Sequence, residues 1–118
     1  MEDRLITILF GRFGYPVRRQ GSLSSDEPYP SDFFTFWNDS SEDLSHYDNN
    51  AVSYTWRFSI YFYSTSPDHV YTVPLEAIDV LKAEGWIING RGYDVASDEI
   101  THTGRAFDCI YIERPGTN

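Results

Sequence analysis

The residues that could do chemistry in this chain are few and scattered. The three histidines, His46, His69 and His102, include no pair at the spacing of a metal site. The single cysteine, Cys109, lies in a run with strand character, where a small buried thiol is expected. A Ser-His-Asp set can be picked from the chain, but no Gly-x-Ser-x-Gly elbow supports it. We therefore expect no enzyme activity, no metal and no cofactor.

Two polar segments share some features of ligand sites but lack their defining residues. Residues 38–50 are acidic, yet the fixed spacings, glycine and terminal glutamate of an EF-hand are missing. Residues 89–92 read Asn-Gly-Arg-Gly, without the Gly-x-Gly-x-x-Gly or Gly-Lys-Ser/Thr pattern of a phosphate-binding loop. A solvated loop and a tight turn are the expected structures.

Composition bounds the class of protein. The chain has 118 residues, 41% of them hydrophobic and 17% aromatic, which predicts a single domain over residues 1–118 with a real core. Net charge is −9 and Lys82 is the only lysine, so an electrostatic grip on nucleic acid or on a membrane surface is not expected. No apolar run is long enough to span a membrane. A lone cysteine forms no intramolecular disulfide, which favours a protein made in a reducing cytoplasm.

The segment that best defines the fold is 52–63. Its apolar residues fall at every second position, which is the period of a strand with two different faces. The side chains expected to face the core are Val52, Tyr54, Trp56, Phe58, Ile60 and Phe62.

Two segments have helical periodicity. Residues 1–13 carry acids in the first turn, and Gly14 is the expected C-cap. Ser66-Pro67-Asp68 is a helix start, and this second helix is expected to end near Glu84. Pro74 lies inside it, so the helix either kinks there, which we favour, or begins near Val73. Its expected buried face is Val70, Val73, Ala77, Ile78 and Leu81.

Shorter strands complete the sheet. Residues 17–20 and 33–37 are expected as strands, the second pairing antiparallel with 52–63 across the polar loop 38–50, whereas 21–32 is expected as an exposed loop. A hairpin with its turn at Asn89-Gly90 joins strands at 86–88 and 93–96, and the last strand covers 103–113. The predicted fold class is α+β: a mostly antiparallel sheet of about four to six strands packed on two helices.

Several stretches, spread over most of the chain, resemble small bacteriophage and prophage tail-terminator (tail-completion) proteins. They are Phe-Gly-Tyr-Pro-Val at 13–17, Arg-Gln-Gly-Ser-Leu-Ser at 19–24, Phe-Phe-Thr-Phe-Trp-Asn at 33–38, Ser-His-Tyr-Asp-Asn at 45–49, Tyr-Asp-Val-Ala-Ser-Asp-Glu at 93–99 and His-Thr-Gly-Arg at 102–105. The resemblance rests on the order of these stretches, the chain length and the two-helix layout.

The resemblance implies a structural virion protein without bond chemistry. Such proteins form a ring, commonly a hexamer, that caps the tail tube and joins it to the head connector or stopper. The implied partners are further copies of the chain, the tail-tube protein and the connector, with no sequence-specific nucleic acid and no membrane. The implied location is the cytoplasm of the bacterial host during assembly and then the head–tail junction of the virion.

The residues expected to form the interface are aromatic or charged. The chain has nine tyrosines, which suit surfaces that are half buried or meet a partner. The candidates are Arg57, Tyr61 and Tyr63 on the second face of the long strand, with His46 and Tyr47 in the polar loop. An alternative from a different class is a small monomeric binding module or regulator that engages a host protein through its tyrosine-rich face.

Overall fold

The computed structural model of the chain describes residues 1–20, 29–47, 50–97 and 100–113, with side chains described throughout except in 40–53. Most of the loop expected at 21–32 lies outside these ranges. The helices and strands are α1 (Glu2–Phe13), β1 (Val17–Arg19), β2 (Asp32–Tyr47), β3 (Asn50–Ser64), α2 (Pro67–Ala83), β4 (Tyr93–Val95) and β5 (Thr103–Glu113).

The five strands form one sheet in the order β1-β2-β3-β5-β4. The pair β1–β2 is parallel, and the other three pairs are antiparallel. The predicted α+β class with a mostly antiparallel sheet is therefore confirmed.

Both helices have the ends that their sequences predict. Gly14 follows α1 in the left-handed region, with φ 73°, and donates its N–H to the carbonyl of Phe10. The side chain of Ser66 caps α2 by accepting a hydrogen bond from the N–H of His69. Helix α2 continues from Pro67 past Pro74, so the alternative start near Val73 is wrong. The buried proline ring offsets some of the lost backbone bonding by packing in the core.

The long β2–β3 hairpin is the main departure from the sequence prediction. Residues 38–50 were expected as a loop, but β2 runs on to Tyr47 and pairs with β3 down to Asn50. The backbone hydrogen bonds of the ladder do not depend on side-chain polarity. This polar stretch therefore forms a strand although its sequence shows no hydrophobic alternation. The register shifts three times along it, between Asn38 and Ser40, Asp43 and Ser45, and Ser45 and His46.

The hairpin expected around Asn89-Gly90 is also wrong. Ile87 forms an isolated bridge with Ile110, and Tyr93 pairs with Ala106. Both segments therefore lie along the same edge of β5, one after the other, and do not pair with each other. The glycine-rich turn connects these two segments. Arg105 holds the turn against β5, because its Nη2 donates a hydrogen bond to the carbonyl of Gly92 over 3.1 Å.

Both helices pack on one face of the sheet. All five residues expected on the buried face of α2 are buried there, and Leu5 and Leu9 contribute from α1. Phe58, Ile60 and Phe62 are fully buried, as their alternation predicts. The core face ends at Trp56, which is only half buried, and at Tyr54, which is 38% exposed. Further core residues are Phe34, Phe36, Trp86, Ile88, Phe107 and Cys109.

Candidate interface on the open face of the sheet

The face of the sheet opposite α1 and α2 carries the candidate site, and we call it the open face. Its members follow from the strand registers and the alternation of side chains. No helix of the described ranges packs on it. By register, its side chains are Arg18, Phe33, Thr35, Trp37, Thr55, Arg57, Ser59, Tyr61, Tyr63, Tyr93, Val95, Ala106, Asp108, Ile110 and Ile112. Five of them, Phe33, Thr35, Thr55, Ser59 and Ala106, are buried among their neighbours.

Large aromatic and apolar side chains on the open face remain in contact with solvent. Trp37 is 48% exposed, Tyr93 47% and Ile112 36%. Tyr61 and Tyr63 are half buried, and Arg57 is exposed. Tyrosine, tryptophan and arginine are the residue types enriched in the cores and hot spots of protein interfaces. The open face thus has the composition of an interface on a sheet surface that the helices leave uncovered.

A row of stacked aromatic side chains crosses the open face. The rings of Phe33 and Tyr63 lie 5.3 Å apart at 28°, and those of Tyr61 and Tyr63 lie 6.5 Å apart at 7°. Gly104 pairs with Tyr63 in β5, and a Cβ atom there would lie 2.7 Å from the Tyr63 ring and 2.9 Å from Val95. A glycine at this position therefore lets the Tyr63 ring lie flat across β5. The rings are held in place before any partner arrives.

One end of the open face is closed by a small aromatic cluster. Tyr29 packs edge-on against Phe33 at 5.4 Å and against His102 at 5.9 Å. The Nε2 atom of His102 lies 2.7 Å from the carbonyl oxygen of Pro30. Because a carbonyl only accepts, Nε2 carries the proton and holds residues 29–30 against the sheet. His102 is 8% exposed, so this role is structural.

A serine and two carboxylates occupy the middle of the open face. The Ser59 hydroxyl lies 2.6 Å from Asp39 and 2.9 Å from Asp108, and Asp108 also accepts a 3.4 Å contact from the Tyr93 hydroxyl. Burial, followed by the charge of Asp108, raises the pKa of Tyr93. Among the described side chains, the contacts of the Ser59 hydroxyl are carboxylates and not the imidazole that would activate a serine nucleophile. The arrangement gives the middle of this face a negative charge.

A Ser-His-Asp set does come together, but in an order that does not suit catalysis. Ser64 Oγ and His69 Nδ1 both contact the same oxygen of Asp32, at 2.6 and 2.9 Å. In a catalytic triad the imidazole must contact the serine, and here the carboxylate separates them. Ser64 is fully buried and also accepts the N–H of Ser66. The set fastens the start of β2 to the end of β3 and the start of α2.

The other reactive groups are also engaged or buried. Burial raises the pKa of the Cys109 thiol, which is fully enclosed in the core. A groove of about 420 Å³ beside His102 is lined by Asp94, which pairs with Arg105 over 2.8 Å. Within the described ranges, no group of three or more His, Cys, Asp or Glu residues is placed to hold a metal ion. No helix in these ranges is long and apolar enough to cross a membrane.

The structure places the predicted interface residues in two regions. Arg57, Tyr61 and Tyr63 share the open face, on the strand where the sequence placed them. His46 and Tyr47 lie at the far end of β2, in a strand and not in the predicted loop, and their side chains are outside the described set. Sequence reasoning missed Trp37, Tyr93, Asp108 and Ile112. The strand register would have found them, because each is paired with a residue whose face of the sheet is already known from alternation along its strand.

Comparison with known proteins does not assign a family. No protein-family model matches the chain, and no curated protein matches it.

Proposed function

We propose that this protein is a phage tail terminator: a structural virion protein whose copies form a ring on the tail tube and join it to the head connector. The observation that carries the proposal is the open face. A sheet face that carries Trp37, Tyr61, Tyr63 and Tyr93 together with Arg57 gains little by facing water, because exposed rings contribute no burial energy. A second copy seated there would bury those rings.

The rigidity of the open face favours a preformed interface. Phe33 and Gly104 fix the Tyr63 ring, and the Tyr61 ring lies parallel to it. Rings that are already ordered lose little side-chain entropy on association, so more of the burial energy appears as affinity. Copies of one protein build a closed ring when one surface of each copy contacts a different surface of the next copy and the rotation between them closes.

The charge of the molecule is compatible with a channel for DNA. With a net charge of −9, the protein offers no general attraction to a phosphate backbone. A ring at the head–tail junction must let DNA pass without binding it, and an acidic lumen meets that need. The proposal therefore includes the tail-tube protein and the connector as partners and excludes sequence-specific binding of nucleic acid. The proposed location is the host cytoplasm during assembly and the virion afterwards.

The deciding experiment is the solution mass by light scattering over a range of concentrations, with and without purified tail-tube protein. A ring, formed alone or only on the tube, is the expected result. A monomer that ignores the tube at every concentration overturns the proposal. That outcome favours the alternative function, a monomeric module that engages a host protein through the same aromatic face.

A further inference from the structure

The middle of the open face carries two carboxylates and one guanidinium that do not neutralise one another. Asp39, Arg57 and Asp108 lie on the adjacent strands β2, β3 and β5, and all three are exposed. Asp39 is the extra residue at the first register shift of β2, and this bulge directs its carboxylate to Ser59. In the described part of the chain, neither carboxylate forms an ion pair with Arg57. The monomer therefore leaves three charges in water at this place.

One hydroxyl serves both carboxylates. The Oγ atom of Ser59 lies 2.6 Å from Asp39 and 2.9 Å from Asp108. A serine hydroxyl has a single proton, so it donates to only one carboxylate at a time. An apolar surface seated here would strip water from both carboxylates and leave two charges buried, which is strongly unfavourable. The surface that covers this face therefore has to present cations to the carboxylates.

The chain carries the opposite set of charges in a groove between α2 and the turn at residues 89–92. The groove has a volume of about 370 Å³ and is lined by Leu75, Ile78, Asp79, Lys82, Gly90 and Arg91. Its charged side chains are one carboxylate and two cations, all of them exposed. Lys82 is the only lysine of the chain, and neither it nor Arg91 forms an ion pair with a described residue. Two unpaired cations thus line one groove of an acidic protein.

We infer that the groove of one copy seats on the middle of the open face of the next copy. The two cations of the groove then meet Asp39 and Asp108, and its carboxylate, Asp79, meets Arg57. Helix α2 packs on the covered face, so the groove and the open face lie on opposite sides of the sheet, and the contact cannot form within one molecule. Two different surfaces meeting head to tail are the arrangement that closes a ring. This inference rests on the proposed function and names the surface that covers the open face.

Apolar side chains lie beside the charges on both surfaces. On the open face, Trp37 is paired with Ser59 and is 48% exposed, and Tyr93 is 47% exposed. In the groove, Ile78 is buried and Leu75 is half buried. The contact therefore buries apolar surface around the ion pairs and excludes water from them, which strengthens the attraction between the charges.

Removal of the two negative charges with little change of shape gives the sharpest test. Asp39→Asn with Asp108→Asn leaves the cations of the groove facing neutral groups, so the protein concentration needed for ring assembly should rise roughly tenfold or more. If an apolar or acidic surface covered the open face instead, the same variant would assemble more tightly, because it has fewer charges to desolvate or repel. Unchanged or tighter assembly of this variant overturns the inference.

A charge swap tests the identity of the groove. Lys82→Glu with Arg91→Glu places carboxylates opposite carboxylates and should weaken assembly at least as strongly as the amide variant does. Addition of Asp39→Arg and Asp108→Arg to this variant reverses the sign of both surfaces, so the fourfold variant should recover most of the assembly. A fourfold variant that keeps the wild-type urea midpoint and does not recover assembly overturns the inference.

The matched control is Arg12→Glu with Arg19→Glu, which makes the same change of net charge on α1 and β1. Both arginines are more than half exposed and form only exposed ion pairs, so the control should fold and assemble normally. The readouts are light-scattering mass with tail-tube protein present and the urea midpoint of each variant. If the wild type forms a ring and the groove variant assembles as well as the control, the inference is overturned while the proposed function stands. If the wild type forms no ring under any condition, the proposed function and this inference fail together.

Discussion

The two faces of the sheet are built on the same strands and differ in what covers them. In β3, Phe58, Ile60 and Phe62 are fully buried under the helices, whereas Tyr61 and Tyr63, which alternate with them, are half buried and Arg57 is exposed. The covered face is apolar from Phe58 to Phe62. The open face mixes rings with a hydroxyl, two carboxylates and a guanidinium.

This difference separates folding from assembly. Apolar burial stabilises the monomer through the covered face, at roughly 25 cal/mol per Å² removed from water. Side chains on the open face keep polar atoms that remain hydrated in the monomer and can bond to a partner. Substitutions on the two faces should therefore fail in different assays, one in stability and the other in association.

The largest effect on stability is expected from Phe58→Ala. Phe58 is fully buried and contacts the rings of Phe36, Trp56 and Trp86. Truncation leaves a cavity and should lower the free energy of unfolding by about 3–5 kcal/mol, measured by urea denaturation. Trp37→Ala on the open face removes an even larger ring that is half exposed and should cost about 1 kcal/mol or less. Equal losses for the two variants would refute the distinction between the faces.

A smaller loss of stability is expected from Gly104→Ala. The added Cβ would lie within 3 Å of the Tyr63 ring and of Val95. The ring cannot move freely because Phe33 stacks on it, so we expect a cost of about 1–3 kcal/mol, typical of overpacking. Tyr63→Ala combined with Gly104→Ala should remove most of the clash. A double-mutant cycle with no coupling between the two positions would contradict the stacked geometry.

Strand periodicity and helix capping carry most of the information about this fold. The helix ends at Gly14 and Ser66 and the alternation in β3 are local signals, because each depends on a few neighbouring residues. The extension of β2 to Tyr47 is not local. Its backbone bonds come from the partner strand, and the polar residues in it carry no hydrophobic period. Ile87 likewise pairs with a residue of β5 and not with its sequence neighbours.

From the sequence, the candidate site could be predicted only along β3. The side chains of Arg57, Tyr61 and Tyr63 follow from alternation in β3 alone. Trp37, Tyr93 and Asp108 join them through the pairing of three other strands, which needs the register. The contact between Ser59 and Asp108 is of this kind, since the two lie directly opposite in β3 and β5.

The buried thiol of Cys109 on the covered face makes stability depend on pH. Burial raises its folded pKa, so it stays neutral in the native protein while the unfolded thiol ionises above about pH 8.5. The stabilisation is complete below that pH and is lost as pH rises, by about 1.4 kcal/mol per pH unit. Urea denaturation between pH 7 and 10 should show a shallower decline for Cys109→Ala than for the wild type. Parallel profiles would mean that the thiol titrates alike in both states.

The smallest effect on monomer stability, and the sharpest test of the open face, is expected from Tyr61→Asp. Tyr61 is half buried and lies beside Ala106, one step from the carboxylate of Asp108, so the new charge stays hydrated and costs about 1 kcal/mol or less. Under a second copy the same charge would be stripped of water next to another carboxylate, which is strongly unfavourable. Assembly by light scattering should therefore weaken by roughly tenfold or more, whereas Tyr61→Phe should assemble normally. A Tyr61→Asp protein that forms rings like the wild type would place the subunit contact away from the open face.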